Sequence, residues 1–132
     1  MAGNSNATVH WSKVICKQPG NYLMCPTIAR KSDGELLVVF SGDREQHVCP
    51  FGKSQMVRSQ DGGETWSEPE TINNTPIDDR DTGIIALRSG TIVMAWLAVA
   101  NWDRHVLSRA GNPPEVLDAW VRHRDKTPEE AF

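Results

Sequence analysis

Apolar residues along this chain occur in short blocks separated by turn-forming residues, a pattern typical of antiparallel β-sheets. The clearest block is residues 35–40, which residues 27–30 precede, with an Asp-Gly turn signal at 31–34 between them. Because the second block is apolar without alternation, we expect it to be buried on both faces. The pattern therefore predicts a β-hairpin in the interior of a sheet.

Further strands are predicted on either side of this hairpin. A third strand is expected at residues 54–59 and a fourth after Trp66, so that residues 23–71 would form one four-stranded sheet. The mixed segment 9–15 is expected to be an outer or closing strand.

The hairpin pattern recurs later in the chain. Residues 85–96 resemble residues 28–40 with one residue deleted in the turn, at an offset of 56 to 57, and this alignment places Asp81 opposite Met24. Self-similarity at such a period indicates a repeat architecture.

From residue 101 the composition changes from strand-like to helix-like. Two prolines followed by Glu115 predict the start of a helix at 115–124, with Val116 and Trp120 on one side. A second helix start is predicted at 127–130.

A tight turn is expected between the third and fourth strands. Asp61 can accept bonds from backbone N–H groups across the turn, Gly63 can adopt positive φ, and Trp66 can pack beneath them. The spacing Ser-x-Asp-x-Gly-x-Thr-Trp, filled by Ser59, Asp61, Gly63, Thr65 and Trp66, resembles the Asp-box, or bacterial neuraminidase repeat, of sialidase-like β-propellers. In that family the turn lies at the outer edge of a blade, so its expected role here is structural.

The resemblance implies an all-β fold, part of a six- or seven-bladed sialidase-like propeller. Blade one would span residues 23–71, blade two would begin near residue 79, and residues 101–132 would form a helical insertion. Since a blade takes about 40–50 residues and a ring needs at least four blades, we expect this 132-residue chain to be the N-terminal portion of a larger domain.

Net charge, arginine content and cysteine spacing indicate which classes of partner this chain can bind. The net charge of −3 and the mixed signs give no basic stripe for nucleic acid. Nine arginines against five lysines suit an anionic sugar, because a guanidinium binds a carboxylate with two parallel hydrogen bonds. The three cysteines lack Cys-x-x-Cys spacing, so neither a disulfide framework nor a metal site is expected, and no cofactor.

No membrane association is expected, and a cytoplasmic location is the default. The N-terminus lacks the basic and apolar regions of a signal peptide, and the apolar run 92–100 is too short to span a bilayer. A secreted or periplasmic location would follow if a segment precedes Met1.

Two polar clusters flank the predicted inner hairpins, at residues 43–47 and 79–81. Because inner-strand ends surround the axis of a propeller, the clusters are expected to converge on one pocket. Sialidases carry a Phe-Arg-Ile-Pro motif whose arginine binds the sialic acid carboxylate, and residues 23–26 keep its proline but have Met24 in place of the arginine.

The substrate-binding residues expected from the resemblance are Arg44, Arg80 and Asp43. The stretch Gly-Asp-Arg ending at Arg44 resembles the Glu-Gly-Arg of sialidases, whose arginine faces the substrate. An alternative is that Arg44 and Asp43 pair with Asp79 or Asp81 and tie the two blades together.

The catalytic residues expected are His47 and Asp81. The family's acid/base aspartate has no counterpart at residues 47–50, where His47 is the titratable side chain, and a histidine pKa of about 6.5 suits proton transfer near neutral pH. Some sialidase-related propellers that act on uronate-containing polysaccharides are thought to rely on a histidine. A loop histidine bonded to nearby backbone is the alternative, and the family's tyrosine nucleophile and its glutamate would lie beyond Phe132.

The resemblance implies a glycoside hydrolase of the sialidase superfamily, exo-α-sialidase-like, acting on a terminal, acidic sugar of a glycan. The missing motif arginine at Met24 leaves two alternatives open. One is a non-catalytic propeller that binds glycan or protein, and the other is a truncated fragment without activity of its own.

Overall fold

The computed structural model describes residues 8–100 and 113–131 and consists mainly of antiparallel β-sheet. The first sheet has the order β1-β2-β3-β4 and the second pairs β5 with β6, so that within each sheet every strand pairs with its neighbour in sequence. The strands are β1 (Tyr22–Arg30), β2 (Leu36–Arg44), β3 (Lys53–Ser59), β4 (Glu70–Asn73), β5 (Asp78–Ala86) and β6 (Ile92–Val99).

The predicted hairpin is confirmed, and its second strand is buried on both faces. Each residue in 36–40 is at most 7% exposed. Alternate side chains build two apolar clusters, one of Leu37, Val39 and Met56 and the other, on the opposite face, of Val38, Phe40 and Val57. The first cluster packs against Ile84 and Ile92 of the second sheet, and the second cluster is partly covered by Ile15 and Trp66.

The two hairpins are related by a constant offset of 56 residues. Pairing shifts between Met24 and Thr27 in β1 and between Arg80 and Gly83 in β5, and from the Met24–Ser41 pair to the turn each position lies 56 residues before its counterpart in the second hairpin. The first hairpin has a further shift between Tyr22 and Met24 that the second lacks. The residue at each shift also has positive φ, 52° at Cys25 and 55° at Asp81.

The predicted one-residue deletion was therefore wrong. Two consecutive isoleucines, Ile84 and Ile85, fitted either alignment in sequence, and the pairing of Ile84 with Met94 selects the constant register. In this register Asp81 corresponds to Cys25, and Arg80 corresponds to Met24.

The strand predicted at residues 9–15 is absent, since no regular element occurs between residues 8 and 18. Val9, Trp11 and Val14 are at least 70% exposed, whereas Ile15 packs against the apolar cluster on the first sheet. The apolar residues here thus mark a segment that lies across a sheet face without pairing to it.

The tight turn predicted between β3 and β4 is present, and side-chain hydrogen bonds hold it. Thr65 donates its N–H to both carboxylate oxygens of Asp61, at 2.9 and 3.0 Å, and Ser59 donates its hydroxyl to the same group at 2.8 Å. Gly63 has a φ of 99°, and the indole of Trp66 donates to its carbonyl at 2.9 Å. Ser59 pairs with Leu36, so the turn lies at the opposite end of β2 from Arg44.

Replacing Asp61 with asparagine should lower stability at neutral pH and flatten its acid dependence. Hydrogen bonds from Thr65 and then Ser59 hold the pKa of Asp61 well below its usual range. A lowered folded-state pKa stabilises the fold above the ordinary carboxyl pKa of about 3.9, and this stabilisation is lost as the pH falls below that value. Thermal unfolding measured from pH 7 to pH 2 tests this, with Asp118→Asn on the exposed helix surface as the control. Parallel curves for Asp61→Asn and the parent chain would contradict the assignment.

The predicted helix is confirmed as α1 (Pro114–Lys126), and the second start signal gives a 3₁₀ turn at Glu129–Ala131. Trp120 is the buried residue of α1. Residues 101–112 of the predicted insertion lie outside the described residues. Neither helical element of the described ranges has the length and apolar character needed to cross a bilayer.

Candidate functional site

The two predicted polar clusters come together at one end of the sheets. Nη2 of Arg80 lies 3.3 Å from Nε2 of His47, although the residues are 33 apart in sequence. The ring of Tyr22, the first residue of β1, lies edge-on to the His47 ring with centroids 6.4 Å apart. We call Tyr22, Cys25, His47, Arg80 and Asp81 the polar cluster.

Arg44 does not belong to the exposed part of this site. Its side chain is 0% exposed and forms a bidentate ion pair with Asp78, with Nη1–Oδ1 at 2.6 Å and Nη2–Oδ2 at 2.9 Å. The expected substrate-binding role of Arg44 is therefore corrected, because no substrate can reach a guanidinium enclosed in this way. The alternative of a tie between the hairpins describes it better, although the partner is Asp78 rather than Asp79 or Asp81.

The buried Arg44 also fixes the backbone around it. Nη2 donates to the carbonyl of His47 at 2.7 Å, and Nη1 lies 3.4 Å from the carbonyl of Asp79. Gly52 presses so closely on this pair that an added Cβ would collide with Arg44 and Asp78. Arg44 thus sets the position of the loop that carries His47.

His47 itself is exposed, with its ring directed at Arg80. A guanidinium can only donate hydrogen bonds, so Nε2 of His47 is the acceptor in this contact and the ring proton lies on Nδ1. The Nε2 lone pair is thus occupied by Arg80 in the structure. Both predicted functional side chains meet at one point of the surface.

Arg80 and Asp81 form an ordered pair beside His47. Nε of Arg80 donates to Oδ2 of Asp81 at 3.3 Å, and Nη1 lies 3.7 Å from the carboxylate of Asp78. The backbone N–H of Asp81 donates to the hydroxyl of Ser41 on β2 at 2.9 Å, which helps to hold the positive φ of Asp81. The Arg80 side chain is 13% exposed, so its orientation is fixed by carboxylates on two sides.

The Cys25 thiol completes the polar cluster. Its hydrogen bond to Asp81 lowers the pKa of that carboxyl group, with a smaller contribution from the charge of Arg80, and raises the pKa of the thiol. Asp81 is therefore held in its ionised form. An ionised carboxylate can accept hydrogen bonds and orient Arg80, but it has no proton to donate, so the orienting role fits Asp81 better than a role as catalytic acid.

Asp43, predicted to bind substrate, lies next to the polar cluster with other partners. Its carboxylate pairs with Lys53 and accepts a bond from the amide of Asn21 at 3.2 Å. Its φ of 56° coincides with the pairing shift between Met24–Ser41 and Tyr22–Arg44, near the end of β2. The Asp43 side chain, which is 38% exposed, therefore stabilises the end of β2 through these contacts.

Asp79 is fully buried and does not contribute to the exposed surface. Its carboxylate accepts bonds from the N–H of Thr75 at 2.5 Å and the Thr75 hydroxyl at 3.0 Å. Burial raises the pKa of Asp79, and the charge of Asp78 adds to this. Asp79 therefore stabilises the entry to β5.

Sequence reasoning missed Asp78, Tyr22 and Cys25. The signal for Asp78 in the sequence is weak, because a carboxylate at a strand start can be exposed, or buried against a cation as Asp78 is, or buried against neutral donors as Asp79 is. Tyr22 and Cys25 have no comparable signal, because their places depend on the bulge in β1 and on the packing of β5. Among residues 8–100 and 113–131, no group of three or more His, Cys, Asp and Glu side chains is arranged to hold a metal ion.

Comparisons with known proteins identify solved structures that are similar to this chain, but no family. No protein-family model matches the sequence, and no curated protein is significantly similar to it. The chain is similar to a crystal structure from Dyadobacter fermentans, described as a protein of unknown function, with a TM-score of 0.61 and 27% sequence identity. The match covers 76% of this chain and 30% of that protein, so this chain spans less than a third of the length of its structural relative.

Proposed function

We propose that this chain forms part of a sialidase-like β-propeller whose polar cluster binds the acidic group of a terminal sugar, and that the whole protein hydrolyses the glycosidic bond of that sugar. The observation that carries the proposal is the meeting of exposed His47 with a carboxylate-oriented Arg80 at the ends of two repeated hairpins. Binding groups at the ends of rigid strands are typical of such sites.

The propeller part of the proposal is supported by the repeat. The second hairpin packs on one face of the first sheet, and from the Met24–Ser41 pair to the turn the two hairpins share their pairing and one bulge at an offset of 56. The outer face of the second sheet exposes Ile85, Val93 and Leu97, each by 46% or more. The opposite face of the first sheet carries an apolar groove of about 230 Å³ lined by Leu23, Val38 and Phe40 among others. Two apolar faces of this kind fit further sheets stacked by the same repeat.

Arg80 would recognise the acidic group. A guanidinium offers paired N–H donors to a carboxylate, and Asp81 and Asp78 hold this one in place before substrate arrives. In the constant register of the repeat, Arg80 occupies the position in the second hairpin that Met24 occupies in the first. On this proposal, Arg80 of the second hairpin would do the work of the arginine that the sialidase motif has in the first.

His47 would transfer the proton. Hydrolysis requires a proton for the leaving glycosidic oxygen and the removal of one from the attacking water, and a histidine can do both in turn. A substrate carboxylate that takes over the Arg80 donors would release Nε2 of His47 to take up a proton from solvent. Nε2 would then donate this proton to the leaving oxygen and regain one from the attacking water. Recognition of the acidic group and availability of the base would then be coupled.

A panel of 4-nitrophenyl glycosides tests the proposal. We expect the whole protein to release acidic sugars, sialic or glucuronic acid, in preference to glucose or galactose. Arg80→Gln should raise the KM for the acidic glycoside about 10- to 100-fold, as loss of a charge-assisted hydrogen bond implies. The matched control is Arg88→Gln, in the exposed turn at the other end of β5. Equal release of neutral sugars would contradict the proposal, whereas binding of acidic sugars without release would favour a non-catalytic glycan-binding propeller.

A further inference from the structure

Helix α1 packs against the loop that carries His47. Trp120 is 0% exposed, and its indole Nε1 donates to a carboxylate oxygen of Glu45 at 3.0 Å, across 75 residues of sequence. A buried indole N–H needs an acceptor, and Glu45 supplies it. This contact joins the helix directly to the first residue after β2.

A second set of contacts holds the same helix against the end of the sheet. The ring of His123 lies edge-on to that of Phe51 with centroids 4.9 Å apart, and its Nε2 lies 2.8 Å from the carbonyl of Pro76. Since a carbonyl only accepts, Nε2 of His123 carries a proton in this contact. The helix therefore spans the loop after β2 and the entry to β5.

The loop between β2 and β3, residues 45–52, is fixed on its inner side by other groups. Arg44 holds the carbonyl of His47 from beneath, and the N–H of Glu45 lies 3.4 Å from Sγ of Cys49. Neither contact involves the exposed carboxylate of Glu45. Trp120 supplies the contact there.

We propose that Trp120 is a positioning residue of the active site: through Glu45 it holds the 45–52 loop so that the His47 ring stays in place for proton transfer. The inference rests on the proposed function, and it assigns α1 a role in the geometry of the site. A displacement of about 1 Å of a reacting group can lower a rate about 100-fold. An acceptor two residues from the histidine is well placed to prevent such a displacement.

The test separates the hydrogen bond from packing and from charge. Trp120→Phe keeps an aromatic ring but removes the donor, and Glu45→Ala removes the acceptor. Glu45→Gln keeps an acceptor oxygen without the charge. Trp11→Phe, at a position 70% exposed, is the matched control. The readouts are kcat and KM for the acidic glycoside and the ring nitrogen resonances of His47, with His10 as the internal reference.

We expect Trp120→Phe and Glu45→Ala each to lower kcat on the order of 10-fold with KM unchanged, and to shift the His47 resonances but not those of His10. Glu45→Gln should restore both readouts to nearly their parent values. The inference is overturned if Glu45→Gln is as damaging as Glu45→Ala, or if neither Trp120→Phe nor Glu45→Ala moves His47.

The outcomes also distinguish this inference from the function on which it rests. If no glycoside is hydrolysed, the His47 resonances still report whether Trp120 positions the ring. If turnover requires His47 but is indifferent to both Trp120→Phe and Glu45→Ala, the positioning role alone is lost. Should Trp120→Phe prevent folding, the two exposed-site substitutions at Glu45 decide the outcome.

Discussion

Arg44→Met should lower the free energy of unfolding by about 3–5 kcal/mol, because it removes the bidentate partner of the buried Asp78 carboxylate and leaves it only Nη1 of Arg80, 3.7 Å away. Both side chains are at most 1% exposed, so water cannot replace the lost guanidinium. The substitution also removes the donor that holds the carbonyl of His47. Urea unfolding followed by tryptophan fluorescence measures the loss.

Two further variants make the Arg44 result interpretable. Arg58→Met removes a 40% exposed arginine that pairs with Glu35 and Glu70 at 3.9 and 3.5 Å, and should cost less than about 1 kcal/mol. Arg44→Met combined with Asp78→Leu should recover much of the loss, because no unpaired charge then remains buried. A loss below about 1 kcal/mol for Arg44→Met alone would show that the ion pair does not tie the hairpins together.

His47→Gln should lower kcat for the acidic glycoside about 10²- to 10⁴-fold, the usual contribution of a general acid/base. Glutamine can still accept a bond from Arg80, so binding of the acidic group and the KM should change little. Because the His47 ring is exposed, the fold should be unaffected. His10→Gln, an exposed histidine before β1, is the control. Undiminished turnover by a folded His47→Gln protein would remove His47 from the mechanism.

The strands, the locked turn and the helix could be predicted because their signals are local. The buried run at 36–40 requires cover on both faces, and Asp61 with Gly63 determines the turn from within eight residues. The segment 9–15 misled the prediction because its apolar residues resemble a strand, whereas only Ile15 of them packs on a cluster.

The site could be predicted only in part, because its contacts depend on how the sheets pack. That His47 and Arg80 would converge followed from the ends of the repeated hairpins. The burial of Arg44 could not be predicted in this way. A guanidinium paired with a carboxylate can be buried in the protein or exposed on its surface, and which of the two occurs depends on where Asp78 lies. The contact between Trp120 and Glu45 spans 75 residues and leaves no trace in local spacing.

The central claim is that Arg80 and His47 together receive an acidic sugar. The most direct measurement is an NMR titration that follows the His47 ring nitrogens and the Arg80 guanidinium while sialic acid or glucuronate is added. We predict saturable shifts of both groups at millimolar sugar, no shifts with glucose, and loss of the response in Arg80→Gln. Unmoved His47 and Arg80 signals at saturating acidic sugar, or equal shifts with glucose, would contradict the account.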